Sequence, residues 1–223
     1  MLLPGIAQAA GDGLLGFDTD GIVTTAKAAD FFLRGFRYCV RYVSRVAKQG
    51  PDDLSSAEAL DILNSGLALM PVQHVRNRGW IPSAELGAAD GVHAAYHAFV
   101  IGFPPAVNVW CDLEGVSQDT PAELVISYCN SWYDAVVVAG YVPGLYVGTD
   151  AILNEKDLRF RLKFTNYWKS LSDVPEIIKH KYQMVQGAEQ TVNGISIEED
   201  QTQVDSLGDR VLWLATSLSV VVS

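Results

Sequence analysis

The stretch Ala106-Val-Asn-Val-Trp-Cys-Asp-Leu-Glu-Gly115 carries an apolar, strand-like run straight into two acids, Asp112 and Glu114. The two-residue period of a strand puts both carboxylates on one side, about two rises of ~3.3 Å apart. Strands of a parallel sheet are buried on both faces, so a pair of acids at the end of one is costly unless it is used or satisfied. Two carboxylates in one pocket repel, and the pKa of one rises. One acid is then a proton donor at neutral pH while the other stays ionised. Glycoside hydrolysis needs that division of labour.

Other polar residues fall at comparable places. Asp18 and Asp20 follow the first apolar run, and Asp200 follows the last predicted strand. Tyr42, Tyr146, Tyr167 and Trp168 stand at strand ends. Gln73 and His74 close the third predicted strand, and Gln183 and Gln186 flank the seventh. Acids surrounded by flat aromatic faces and amides suit a sugar, with its apolar ring faces and hydroxyls. Asp20 has an equally good reading as a cap for the helix that follows.

These residues need elements to position them. The chain alternates short strands with amphipathic helices. Strands are predicted at 14–17, 36–43, 67–75, 106–113, 144–147, 162–167, 181–185 and 195–199. Thr24 or Thr25 starts a helix stopped by Gly35. Ser55 with Glu58 is a capping-box signature for a helix to about Asn64. Ser83 opens a long helix closed by Gly102, and Thr120-Pro121 with Glu123 opens one closed by Gly140. Eight such units in 223 residues fit an α/β chain folded as one (β/α)8, TIM-like barrel. Its single domain spans 1–223 with a core at about 14–205. Catalytic groups on that fold sit at the C-terminal strand ends. A doubly wound open sheet is the alternative, but neither of its usual nucleotide signatures, G-x-G-x-x-G and G-x-x-x-x-G-K-[ST], is present.

Composition narrows the partners. Hydrophobic residues make up 49% and charged residues 19%, which excludes a disordered chain. With 16 basic against 26 acidic residues, the net charge is −10. No basic cluster offers a footprint for nucleic acid or an anionic membrane. Cys39, Cys111 and Cys129 lack metal-type spacing and read as buried free thiols. His93 and His97 are four apart on a predicted helix without an intervening Glu motif, and read as a solvated face. Trp80, Trp110 and Trp132 read as packing residues. The first ten residues lack the basic start of a secretory signal. The apolar run 211–222 is short of the ~20 residues a membrane span needs and reads as a final helix or strand packed on the domain.

The segments G-F-D-T-D, F-R-Y-C-V-R-Y, A-A-D-G-V-H-A-A-Y-H-A-F, W-C-D-L-E-G and A-G-Y-V-P-G-L-Y-V-G together resemble the glycoside-hydrolase-like TIM-barrel domain related to the family 25 lysozymes. The resemblance runs from about Gly16 to Asp205. It implies that Glu114 is the proton donor, that Asp112 stabilises or assists at the anomeric centre, and that Asp18 is the acid after the first strand. It places Tyr146 after the fifth strand and an acid on the last strand, Asp200 or the competing Asp205. Where the lysozymes carry W-Q on strand seven, this chain has Tyr182-Gln183.

The resemblance implies hydrolysis of a cell-wall polysaccharide, peptidoglycan or a related glycan. The catalytic set is Glu114, Asp112 and Asp18, and Tyr146, Trp168, Asp200, Gln183, Gln73 and Asp20 would bind substrate. No metal or organic cofactor is needed, and the chain would act outside the cytoplasm. The alternative is a silent barrel that binds glycan or a protein partner, since fold and motif do not by themselves imply turnover.

Overall fold

In the computed structural model, which describes residues 2–178, 180–217 and 219, the elements follow one another as β1 (Ile6–Ala9), β2 (Leu15–Thr19), α1 (Thr25–Leu33), β3 (Tyr38–Val43), α2 (Ser56–Asn64), β4 (Ala68–Gln73), α3 (Ala84–Ile101), β5 (Asn108–Leu113), α4 (Ala122–Val138), β6 (Val142–Val147), α5 (Glu155–Phe160), β7 (Asn166–Lys169), β8 (Met184–Val192), β9 (Ile195–Thr202) and β10 (Leu212–Ala215). The strands from β2 to β9 close into an eight-stranded barrel, sealed where Val72 and Gln73 of β4 pair with Trp110 and Cys111 of β5. β1 and β10 form an antiparallel ribbon joined to β4 at Leu214–Leu69. That strand realises the packed C-terminal segment expected from the sequence as far as Ala215; Leu218 and 220–222 of the same apolar run lie outside the described residues.

The barrel differs from eight equivalent β/α units in its last quarter. β2 through β8 run parallel, but β9 is antiparallel to both β8 and β2. No helix separates β8 from β9. They are joined by Asn193-Gly194, with φ of 52° and 74°, the two left-handed residues of a tight hairpin turn. The sixth predicted strand is also displaced. Glu155–Phe160 is a helix with a complete Asn154–Asp157 capping box, and the strand begins only at Asn166.

The remaining elements follow from local chemistry. The side chains of Thr24, Ser55 and Ser83 cap α1, α2 and α3 by accepting from backbone N–H groups of the first turn. Only half of the expected capping box forms on α2. Glu58 donates its backbone N–H to Ser55, but its carboxylate turns away to Arg41 and to the N–H of Val23. Arg41 also donates to the carbonyls of Thr19 and Asp52. A charge pair behind the barrel wall thus fixes the chain leaving β2.

Period-two alternation sorts each strand between wall and interior. Phe17 points outward and stacks on Phe31 at 4.0 Å, with Phe36 edge-on at 5.4 Å. Burial of such a side chain stabilises by roughly 1.5–3 kcal/mol. Cys39, Cys111 and Cys129 are buried free thiols. His93 and His97 depart from the solvated face expected of them. His97 is buried, and the two rings bond the carbonyls of Arg45 and Val46, clamping the loop after β3. No helix of the described residues is long and apolar enough to cross a membrane.

Candidate active site

Asp18, Tyr42, Asp112, Glu114 and Tyr146 all belong to the C-terminal ends of parallel strands or the residues just beyond them, so the barrel gathers them at one mouth. There Tyr42, Asp112 and Glu114 line a cleft of about 300 Å3 together with Asp20, His74, Val75, Glu189, Ser196 and Glu198, while Asp18 and Tyr146 are buried beside Tyr42 and Asp112. β5 pairs with β6 so that Asp112 lies beside Tyr146. β2 pairs with β9 so that Asp18 lies beside Glu198, with Asp200 one step deeper beside Gly16.

The floor is held by a short polar network. Gln186 donates to Asp18 at 2.9 Å, and its carbonyl oxygen accepts from the Tyr146 hydroxyl at 2.9 Å. Tyr146 packs edge-on against Trp168, and the Trp168 indole donates to Asp200 at 2.8 Å. Asp18, Glu198 and Asp200 stand close enough to shift one another's pKa values, which makes a row of carboxyl groups into the barrel. Asp112 Oδ1 and Asp200 Oδ2 are both buried without a partner.

Glu114 is positioned from three sides. The Trp80 indole donates to its carbonyl at 2.9 Å. Gly115 then turns the chain with a φ of 64° and donates to the carbonyl of Thr149. A Cβ at Gly148 would lie 2.5 Å from both Cβ and Oε2 of Glu114, so only glycine leaves room for the carboxylate there. On the opposite wall Tyr42 stacks on His74 at 4.7 Å, and His74 is fixed by Asp53 at 2.7 Å.

Burial and mutual repulsion push the acids toward their neutral forms. Asp18 rises to about 8, first through burial and then through the charge of Glu198. Burial raises Asp112 well above the carboxylate range, with Glu114 and Asp18 adding to it. Glu114 is half-buried and raised by burial and by Glu198, while Arg78 opposes the rise. Asp200 is raised well above its ordinary value by burial and by Asp18. The cleft can therefore offer a protonated carboxyl at neutral pH, as general acid catalysis requires.

Several expected site residues stand elsewhere. Gln73 points outward, where it accepts from the Trp132 indole at 2.6 Å. Gln183 lies at the opposite end of the barrel, bonded to Tyr167, Thr165 and Asp205. Tyr167 also points outward, its hydroxyl donating to Leu158. Trp168 and Asp200 line the interior beneath the cleft, and Asp200 lies within β9 instead of beyond a parallel strand. Asp20 lines the rim and leaves the helix cap to Thr24. Glu198 and Glu189 are the acids that sequence reading missed. The signal was Asn193-Gly194: once it is read as a hairpin turn, alternation puts Ser196, Glu198 and Asp200 on one face, with Glu198 nearer the mouth than Asp200.

Among the described residues, one group brings three potential metal-ligating atoms within 4.8 Å of one another, His180, Asp205 and Asp209. It lies at the far end of the barrel. Asp205 already accepts from Gln183 and from the N–H groups of Leu207 and Asp209.

Comparison with known proteins agrees with this architecture. The family described as Rv2525c-like, glycoside hydrolase-like domain matches residues 30–213. No curated protein matches the chain significantly. Among solved structures, the Tat-secreted protein Rv2525c of Mycobacterium tuberculosis superposes with a TM-score of 0.66 at 18% identity, over 86% of this chain and 96% of that one. A lysozyme from Streptomyces coelicolor gives 0.57 at 11% identity, over 86% and 93%. The catalytic domain of endolysin ply40 from Listeria monocytogenes bacteriophage P40 gives 0.58 at 15% identity, over 87% and 95%. At these identities the likeness is one of fold.

Proposed function

The chain belongs to the Rv2525c-like, glycoside hydrolase-like domain family, and from that membership and the geometry of its cleft we propose that it is a glycoside hydrolase acting on a cell-wall polysaccharide of the peptidoglycan type. The observation that carries the reading is the meeting of Asp112 and Glu114, two residues apart at the end of β5, with Asp18 and Glu198 across one open cleft. Lysozyme and endolysin folds among the structural neighbours support the substrate class.

In this mechanism Glu114 donates its proton to the glycosidic oxygen as the bond from that oxygen to C1 breaks. Positive charge develops at C1 and the ring oxygen. Asp112, with a free buried Oδ1, stabilises that charge or orients the group that attacks C1. Water supplies the hydroxyl that ends on C1, and its proton returns to Glu114. Asp18 and Glu198 set the protonation of the pair through their fields. Tyr42 and His74 offer a stacked wall for a sugar face.

The test is incubation with purified peptidoglycan and assay of new reducing ends. Release by the parent chain and its loss in Glu114→Gln support the reading. Binding without release, unchanged in Glu114→Gln, would identify a silent glycan-binding barrel instead.

A further inference from the structure

The cleft is one-sided in its ionisable groups, and a bound cation would return its acids, raised by burial and repulsion, to carboxylates. Asp20, Asp112, Glu114, Glu189 and Glu198 all face it, and His74 is the one basic side chain in its lining. Arg45 reaches the cleft wall only through the carbonyl of Val75, and two further arginines are paired with acids. Arg41 is paired with Glu58 behind the wall, and Arg78 is bonded to Asp150 at 2.5 Å. A neutral glycan would leave these carboxyls without a counter-charge. An anionic one would be repelled.

A second observation points to what is missing. Asp112 is only 4% exposed, yet its Oδ1 has no hydrogen-bond donor, and the residue lines the cleft floor. A buried acceptor left open costs free energy that a bound donor recovers. The donor could be a metal ion or an ammonium group. The cleft acids do not bring three ligand atoms within 4.8 Å, the convergence found among the described residues only at His180, Asp205 and Asp209. A hard cation needs several oxygens around one point. An ammonium group needs only one or two carboxylates and supplies three N–H donors. Tyr42, stacked on His74, adds an aromatic face suited to a sugar ring.

We propose that the cleft selects a hexosamine whose amine is free, its ammonium group held by Asp112 and Glu198 while Glu114 faces the glycosidic oxygen. The proposal rests on the glycosidase reading for its substrate class and narrows it to the de-N-acetylated form. Replacing the acetamido group with an ammonium gives the Asp112 carboxyl group, which no donor among the described residues reaches, a charged partner at the cleft and neutralises part of the acidic cleft. The amine lies on the carbon next to C1, so the same carboxylate also offsets the ammonium's field on the charge developing at C1.

The experiment compares binding of a glucosamine tetrasaccharide, its fully N-acetylated counterpart and cellotetraose at near-neutral pH, where amine and carboxyl groups can both be charged, by calorimetry. The free-amine sugar should bind about tenfold more tightly than the acetylated one, the share of one charge-assisted contact, and the preference should shrink at high salt. Asp112→Asn and Glu198→Gln should each remove most of that preference. Equal or tighter binding of the acetylated sugar would overturn the proposal, as would no binding of either. Competition by spermidine as effective as that by the tetrasaccharide would reduce the site to a non-specific cation sink and overturn it too. Assay of reducing ends from peptidoglycan before and after chemical de-N-acetylation separates the two readings. Equal cleavage of both sinks the selectivity and leaves the hydrolase. Selective binding without cleavage of either leaves the selectivity and sinks the hydrolase.

Discussion

Asp18 on β2 and Glu198 on β9 lie directly opposite each other in an antiparallel pair, and the charge of Glu198 adds to burial in raising the Asp18 pKa. Two facing carboxyl groups repel when both are ionised, and the buried one is the more costly to charge, so Asp18 holds a proton. Burial and the charge of Glu198 keep that proton on Asp18 in the folded state, against the bond donated by Gln186, which favours the ionised form.

A pH dependence follows. Asp18 has a folded pKa of about 8 against an ordinary 3.8, so between those values the folded chain holds a proton that the unfolded chain has released. The stability this provides is fully present below the lower value and is lost as pH rises through the upper one. The slope approaches about 1.4 kcal/mol per pH unit for one proton. Urea denaturation across this window should show stability falling with pH. Asp18→Asn, whose amide can still accept from Gln186 and can donate to Asp200, should flatten the slope by about one proton and be the more stable chain at the alkaline end. An unchanged slope would place the proton elsewhere in the cluster.

The barrel and most of its cleft were legible because their signals are local. Asp112 and Glu114 were found by alternation along a single strand, and Asp18 and Tyr146 by their positions after apolar runs. What escaped depends on partners distant in sequence. Gln73 and Gln183 have the same residue type and strand-end setting as Gln186, but only Gln186 meets Asp18 and Tyr146; the others meet Trp132 and Asp205. The Arg41–Glu58 pair joins a strand to a helix 17 residues on, and local spacing reads Glu58 only as part of a helix cap. Glu198 was missed for a different reason. Its signal, the Asn193-Gly194 turn, is local, but the expectation of a strictly parallel barrel overrode it.

The Arg41–Glu58 pair should be structurally decisive. Both side chains are buried, with Nε and Oε1 2.7 Å apart. Arg41→Met leaves a buried carboxylate whose remaining partner is the N–H of Val23, and breaking such a pair costs about 3–5 kcal/mol. Chemical denaturation should show a loss in that range. Adding Glu58→Leu should recover part of it, though the carbonyls of Thr19 and Asp52 still lack their donor. A loss under about 1 kcal/mol for Arg41→Met would mean that water replaces the guanidinium and that the loop after β2 is held by other contacts.

Gly148 should control activity more than stability. Its added Cβ would overlap Glu114 and come within 2.9 Å of Tyr146 Cε1. Overpacking of this kind costs about 1–3 kcal/mol, because the half-exposed Glu114 can swing outward. If the chain is a hydrolase, that swing takes the proton donor off its line to the glycosidic oxygen. Gly148→Ala should therefore lower kcat by tenfold or more (about 1.4 kcal/mol of barrel-mouth geometry) with a smaller effect on KM. A variant that melts earlier but turns over normally would show that Glu114 functions equally well in another rotamer.

The roles of Asp112 and Glu114 can be separated by the leaving group. If Glu114 is the proton donor, Glu114→Gln should cost about 10²–10⁴-fold in rate on an ordinary glycoside. An activated aryl glycoside departs as a weakly basic phenolate and needs little protonation, so most of that loss should vanish on it. Asp112→Asn should behave differently. Its carboxylate acts on charge at C1, which develops whichever group leaves, so its loss should be similar on both substrates. Both variants should fold, since Asp112 Oδ1 gives up no bond on becoming an amide and Glu114 is anchored by its backbone contacts with Trp80 and Thr149 through Gly115. Values of kcat/KM for parent and variants on the two substrates give the answer. Equal losses for Glu114→Gln on both would remove it as the general acid and pass that role to another acid of the cleft, with the protonated Asp18 the first candidate.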